Sequence, residues 1–62
     1  MATGDIIKQK REDMGITQDD LALSLGVAQS YISAIEANRK IPNLPFAKQV
    51  AKFFGCKVDD LC

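Results

Sequence analysis

Two short segments with helical period, one from Thr17 to Leu25 and one from Gln29 to Ala37, are separated by only Gly26, Val27 and Ala28. This joint constrains the fold more than any other feature of the chain. Gly26 ends the first segment where a left-handed residue is needed, and a three-residue turn leaves the two helices as one supersecondary unit, about 17–37, rather than two independent elements. No stretch alternates apolar and polar residues long enough to predict a strand. An all-α fold follows.

The other elements read from period and punctuation. A first helix is predicted from about Asp5 to Asp13, with Ile7, Arg11 and Met14 sharing its inner face at i, i+4, i+7. Arg11 then points toward the core and requires a partner, because an unpaired buried charge is costly. Thr17 with Asp20 three residues later resembles a capping box opening the second helix, whose apolar face is Leu21, Ala22 and Leu25. In the third helix Tyr31, Ile32 and Ile35 gather on one side. Glu36 lies at the edge of that side and is the natural partner for Arg11, an ion pair that would lock the first helix to the third. A fourth helix is capped by Asn43, tolerates Pro45 in its first turn, repeats Ala47, Val50, Ala51 and Phe54 at helical spacing, and stops at Gly55. Val58 to Leu61 can form one further turn that lays Leu61 onto the core.

The opposite face of the third helix carries Gln29, Ser30, Ser33, Ala34 and Ala37, short side chains and one amide with no charge. A solvated helix face more often carries Lys and Glu. Small polar residues there point to a surface that lies close against something.

At 62 residues the chain is expected to be a single domain, 1–62, and folding at this size buries only roughly 60% of the unfolded surface. That leaves room for one core but not for a deep catalytic cavity as well, and 47% hydrophobic residues suffice for such a core. There is no histidine, no Ser-His or Cys-His pairing and no Gly-rich phosphate loop, so an enzyme is not expected. The two cysteines, Cys56 and Cys62, cannot complete a four-ligand zinc site and make no disulfide framework. No metal, cofactor or small-molecule site is expected. No apolar run approaches the roughly 20 residues that span a membrane, and no signal-peptide pattern opens the chain, so a reduced, cytoplasmic location is expected.

A glycine-containing turn between two short helices is the helix-turn-helix unit. Its second helix fits a DNA major groove, about 12 Å wide, while the first lies across the backbone. The run TQDDLALSLGVAQSYISAIEANRKIP, Thr17 to Pro42, resembles the Cro/cI-type (XRE) helix-turn-helix family. It does so through Thr17, Gln18, Leu21, Ala22, Gly26, Val27, Ile32, Ser33, Ile35, Glu36 and Pro42, and more weakly over nearly the whole chain. The resemblance implies a lambda-repressor-like bundle of five short helices. It implies that Gln29, Ser30, Ser33 and Ala34 read base edges, and the helical period selects the same outer face. It also implies that Gln18 binds phosphate and that Asn38, Arg39 and Lys40 hold the backbone.

Two departures from the family pattern stand out. Ala28 occupies the position of a Ser or Thr cap, a loss of about 1 kcal/mol. Asn38 replaces a glycine, a mild change because Asn tolerates the left-handed conformation. The formal charge is zero, from eight basic and eight acidic residues. Arg39 and Lys40 adjoin the reading helix and Lys8 and Lys10 sit on the first, whereas Asp19 and Asp20 favour the positive end of the second helix and threaten to repel phosphate. One copy should therefore make few phosphate contacts. The expected function is a sequence-specific, DNA-binding transcriptional regulator, a repressor that binds a pseudo-palindromic operator as a homodimer, with half-sites about 34 Å apart. The alternative is a protein-interaction module of the same fold, antitoxin-like or partner-binding, marked by an apolar patch around Phe53 and Cys62.

Overall fold

The computed structural model describes residues 2–61. Four α-helices follow in order, α1 (Thr3–Asp13), α2 (Gln18–Leu25), α3 (Gln29–Glu36) and α4 (Leu44–Phe54), and a short 3-10 turn (Val58–Leu61) closes the bundle. Among the described residues there is no strand. The fifth helix implied by the family resemblance is this single 3-10 turn. Among the described residues no helix is long and apolar enough to cross a membrane.

Every element contributes to one core. Ile7, Leu21, Ile32, Ile35, Val50 and Leu61 are its largest fully buried side chains, each contributing about 1.5–3 kcal/mol relative to exposure. Leu61 is there because the 3-10 turn folds back on α4, as the spacing predicted. Leu25, Tyr31 and Phe54, expected on inner faces, pack against this core but remain half-buried.

The helix ends follow their capping chemistry. Thr17 and Asp20 form a reciprocal box: Asp20 N donates to Thr17 Oγ1 and Thr17 N donates to Asp20 Oδ2, both at 3.0 Å. Asn43 Oδ1 accepts from Phe46 N at 2.9 Å to start α4. Gly26 ends α2 at φ 71°, the left-handed geometry its position requires. Ala28 caps α3 with extended backbone and no side-chain hydrogen bond.

Four expectations need correction. Helix α1 begins at Thr3, not Asp5: Asp5 sits in the first turn, where its carboxylate accepts from Ala2 N at 3.2 Å. Helix α3 stops at Glu36, and Ala37 is its C-cap. Met14 does not share the inner face. It is the C-cap of α1, and with the helix already ended the i+7 register from Ile7 no longer applies; its side chain is 51% exposed. Phe53 is half-buried against the core and meets Phe54 edge to face at 5.3 Å, so it does not form an exposed patch. Cys62 lies outside the described residues.

Two packing features were not foreseen. Gly4 is buried where α1 crosses α3, and a Cβ added to it would overlap the carbonyl oxygen of Ile35. Phe46 is buried in the first turn of α4, and its ring meets that of Tyr31 at 5.1 Å and 74°.

Candidate nucleic-acid interface

Gln18 is the first residue of α2 and Gln29 the first of α3, so the tight turn between the helices brings two amides together at adjacent helix starts. Gln29 Nε2 donates to Gln18 Oε1 at 2.6 Å. Gln18 Nε2 donates inward to Glu36 Oε1 at 3.1 Å. Glu36, nearly fully buried, is held in turn by Arg11, whose Nε donates to Oε2 at 2.7 Å and whose Nη2 donates to Oε1 at 3.0 Å. Arg11 Nη1 also donates to the Ile16 carbonyl at 2.8 Å. The expected ion pair is present, and it begins a chain of hydrogen bonds leading from the core to the surface. The hydrogen bond to Glu36 raises the Arg11 pKa above its already high ordinary value, against the opposing effect of burial.

The direction of that chain has a chemical cause. A carboxylate only accepts, so Gln18 must turn its NH2 group toward Glu36 and its oxygen outward. That oxygen only accepts, so Gln29 must offer it an N–H. The exposed amide of Gln29 is left with its own oxygen and a second N–H turned to neither partner. These are one acceptor and one donor side by side, the pair that matches N6 and N7 of an adenine.

Along α3, Gln29 and Ser30 are exposed, while Ser33 and Ala34 are half-buried. The four residues expected to face bases thus form a graded surface, with the longest side chain at the helix start and a shallow, small-residue floor behind it. Backbone can approach closely over such a floor.

Asn38, Arg39 and Lys40 follow the far end of α3 and are all exposed. Asn38 adopts φ 61°, the left-handed conformation glycine would otherwise supply. Its amide is turned to α1, where Nδ2 donates to Asp5 Oδ1 at 3.2 Å. The Lys40 ammonium lies 5.2 Å from the centre of the Tyr31 ring, within the range of a cation–π attraction. The residues expected to hold the backbone therefore stand at both ends of α3, Gln18 at one and the loop at the other. Asp5 and Tyr31, which contact Asn38 and Lys40 of that loop, were not picked out for this from the sequence. Tyr31 read only as a packing residue, and Asp5 only as a helix-start acid.

The acidic residues at the start of α2 differ in their roles. Asp20 is committed to Thr17, and the hydrogen bonds from the Thr17 backbone and side chain hold its pKa below the ordinary 3.8. Asp19 beside it is exposed and, with Arg11, Thr17, Gln18 and Gln29, borders an open recess next to the two glutamines. Among the described residues, no group of three or more acidic or Cys side chains is placed to hold a metal ion.

The profile of the helix-turn-helix family matches residues 7–61 of the chain. An uncharacterised helix-turn-helix-type transcriptional regulator of Methanocaldococcus jannaschii is 44% identical over 55 residues, covering 89% of this chain and 83% of that protein. SinR of Bacillus subtilis, a helix-turn-helix-type transcriptional regulator, is 37% identical over 59 residues, covering 94% of this chain but 53% of SinR. Among solved structures, SinR in complex with DNA superposes with a TM-score of 0.87 at 37% identity, covering 95% of both chains. The P22 c2 repressor in complex with a synthetic operator superposes with a TM-score of 0.92 at 28% identity, covering 98% of this chain and 92% of that one. With its fold, its family match over residues 7–61 and its likeness to solved regulators in agreement, the chain belongs to the XRE-type helix-turn-helix family of DNA-binding transcriptional regulators, a non-enzymatic class.

Proposed function

We propose that the chain reads a specific DNA sequence through the outer face of α3, binds a pseudo-palindromic operator as a homodimer, and represses transcription in the cytoplasm. Gln29, Ser30, Ser33 and Ala34 meet base edges in the major groove. Gln18, Asn38, Arg39 and Lys40 hold the phosphates on either side. The observation that carries this reading is the hydrogen-bond chain from Arg11 through Glu36 and Gln18 to Gln29. It leaves one acceptor and one donor of an exposed amide available to a base, without the side-chain ordering that recognition otherwise costs. Specificity rests on that amide, on the two serines and on methyl contacts from Ala34 to thymine. The α3 helix carries no Arg or Lys to read guanine.

Dimeric binding is supported by charge. With eight basic and eight acidic residues, one copy offers few cations to phosphate, and two copies on paired half-sites double that contribution. The repressor reading draws on the likeness to the P22 c2 repressor.

The test is selection of duplex DNA from a random pool. Enrichment of an inverted repeat, with binding weakened by about 1–3 kcal/mol in Gln29→Ala, is the expected result. No enrichment even at low salt would overturn the reading. It would favour the partner-binding alternative, which draws its support from the exposed apolar side chains of Leu23, Ile41 and Leu44.

A further inference from the structure

We propose that Asp5 and Tyr31 are positioning residues for DNA binding, setting the loop that carries Arg39 and Lys40 from its two ends. The inference rests on the DNA-binding reading above and assigns a role to residues outside the reading surface. The loop leaves α3 through Asn38 at φ 61°. A glycine there would satisfy the backbone but leave this end of the loop without a side-chain tie. Asn38 satisfies it and also donates through Nδ2 to Asp5 Oδ1 at 3.2 Å. The Asp5 carboxylate is itself fixed, since its other oxygen accepts from Ala2 N at 3.2 Å at the start of α1. The start of α1 lies close against the end of α3, because Gly4 has no side chain to hold it off the Ile35 carbonyl. The first end of the loop is thus tied to a rigid helix junction.

The second end is tied through an aromatic face. Lys40 stands 5.2 Å from the Tyr31 ring centre, and that ring is itself fixed edge to face on buried Phe46 at 5.1 Å. A lysine is a flexible point charge that loses much rotamer freedom when it binds phosphate. Resting the ammonium on a fixed ring narrows that freedom beforehand. Arg39 lies between the two ties, so its starting direction is set by both.

The experiment measures affinity for the selected operator, its salt dependence and thermal stability on the full chain. Asn38→Gly keeps the left-handed backbone and removes only the tie. Expected are binding weakened by about threefold to tenfold, equally on matched and mismatched sites, and a shallower dependence on salt from lost phosphate contact. Asp5→Ala should weaken binding similarly even though removing a carboxylate ordinarily favours DNA. Asp5→Asn keeps an acceptor for Asn38 and should restore binding. Tyr31→Phe should bind as the parent does, and Tyr31→Leu should lose affinity and salt dependence only while Lys40 is present. If the parent binds its operator and Asn38→Gly and Tyr31→Leu match it in affinity and salt slope, with only melting temperature changed, the positioning role is overturned and the DNA-binding reading stands. If the parent binds no duplex at any salt, both fall together.

Discussion

Gln29 Nε2 sits 2.6 Å from Gln18 Oε1, and the direction of that hydrogen bond is dictated by Glu36 on the far side of Gln18. The two glutamines therefore act as a unit, and removing either alters what the other presents. Gln18→Ala should lose more than one phosphate contact. Without its partner the Gln29 amide can rotate and offer its N–H and C=O in either order, so discrimination at the base it meets should fall by about 1–3 kcal/mol. Binding titrations on the selected operator and on a variant changed at that single base would measure this. Equal losses on both sites would mean that Gln18 only touches the backbone.

Arg11 and Glu36 carry the same chain into the core. Replacing Arg11 by Met leaves the Glu36 carboxylate buried, with Gln18 its remaining side-chain partner, and should destabilise the fold by about 3 kcal/mol. The paired change Arg11→Met with Glu36→Leu removes both charges and should recover much of that loss. It should not recover DNA binding, because Gln18 then has no inner acceptor and the Gln29 amide is no longer set. Denaturant unfolding alongside operator titration separates the two effects. An Arg11→Met protein as stable as the parent would show that the pair does not hold the fold.

Much of this arrangement is legible in the residues themselves. Gly26, the Thr17–Asp20 box, the Asn43 cap and the apolar repeat of α4 each act within a few residues, so their spacing is enough to place them. The Arg11–Glu36 pair is legible for a different reason: an arginine on an inner face and a glutamate at the edge of another have few ways to be satisfied. What is not legible depends on where helices cross. Gly4 reads as a weak helix former until the Ile35 carbonyl lies against it. Phe46, four residues before Val50, sits at the edge of the α4 stripe, and spacing alone does not show that its ring is buried against Tyr31. Met14 fits a helical register that the backbone has already left. The amide chain at the surface likewise needed the inter-helix distances, because nothing in the spacing of Gln18 and Gln29 says which way each amide turns.

The capping box of α2 makes stability depend on acid. Hydrogen bonds from the Thr17 backbone and side chain lower the folded-state pKa of Asp20 below its ordinary 3.8. The folded state thus binds this proton less readily than the unfolded chain, so the contribution is present above the unfolded pKa and is lost as pH falls through the folded value. Thermal melts of the parent and Asp20→Asn should differ most near neutrality and converge once the pH has fallen through the lowered folded-state value of Asp20. A gap that stays constant down to the lowest pH would mean that the carboxylate charge plays no part in the cap.

Ala28 offers a way to separate folding from binding at a single position. It caps α3 with extended backbone but no side-chain acceptor, so Ala28→Ser should stabilise the domain by about 1 kcal/mol, raising the melting temperature by about 4–8 °C for a chain of this size. Ala28→Asp supplies the same acceptor with a charge that also suits the positive end of the helix, and should stabilise at least as well. On DNA the two should part. Ala28 is exposed beside Gln29, so a carboxylate there adds repulsion toward any phosphate at the start of α3. The serine variant should bind the operator about as the parent does. The aspartate variant should bind more weakly, with the deficit shrinking as salt rises and screens the repulsion. Two stabilised proteins with the same affinity would place the DNA away from the start of α3, whereas a salt-sensitive loss confined to the aspartate would locate phosphate there.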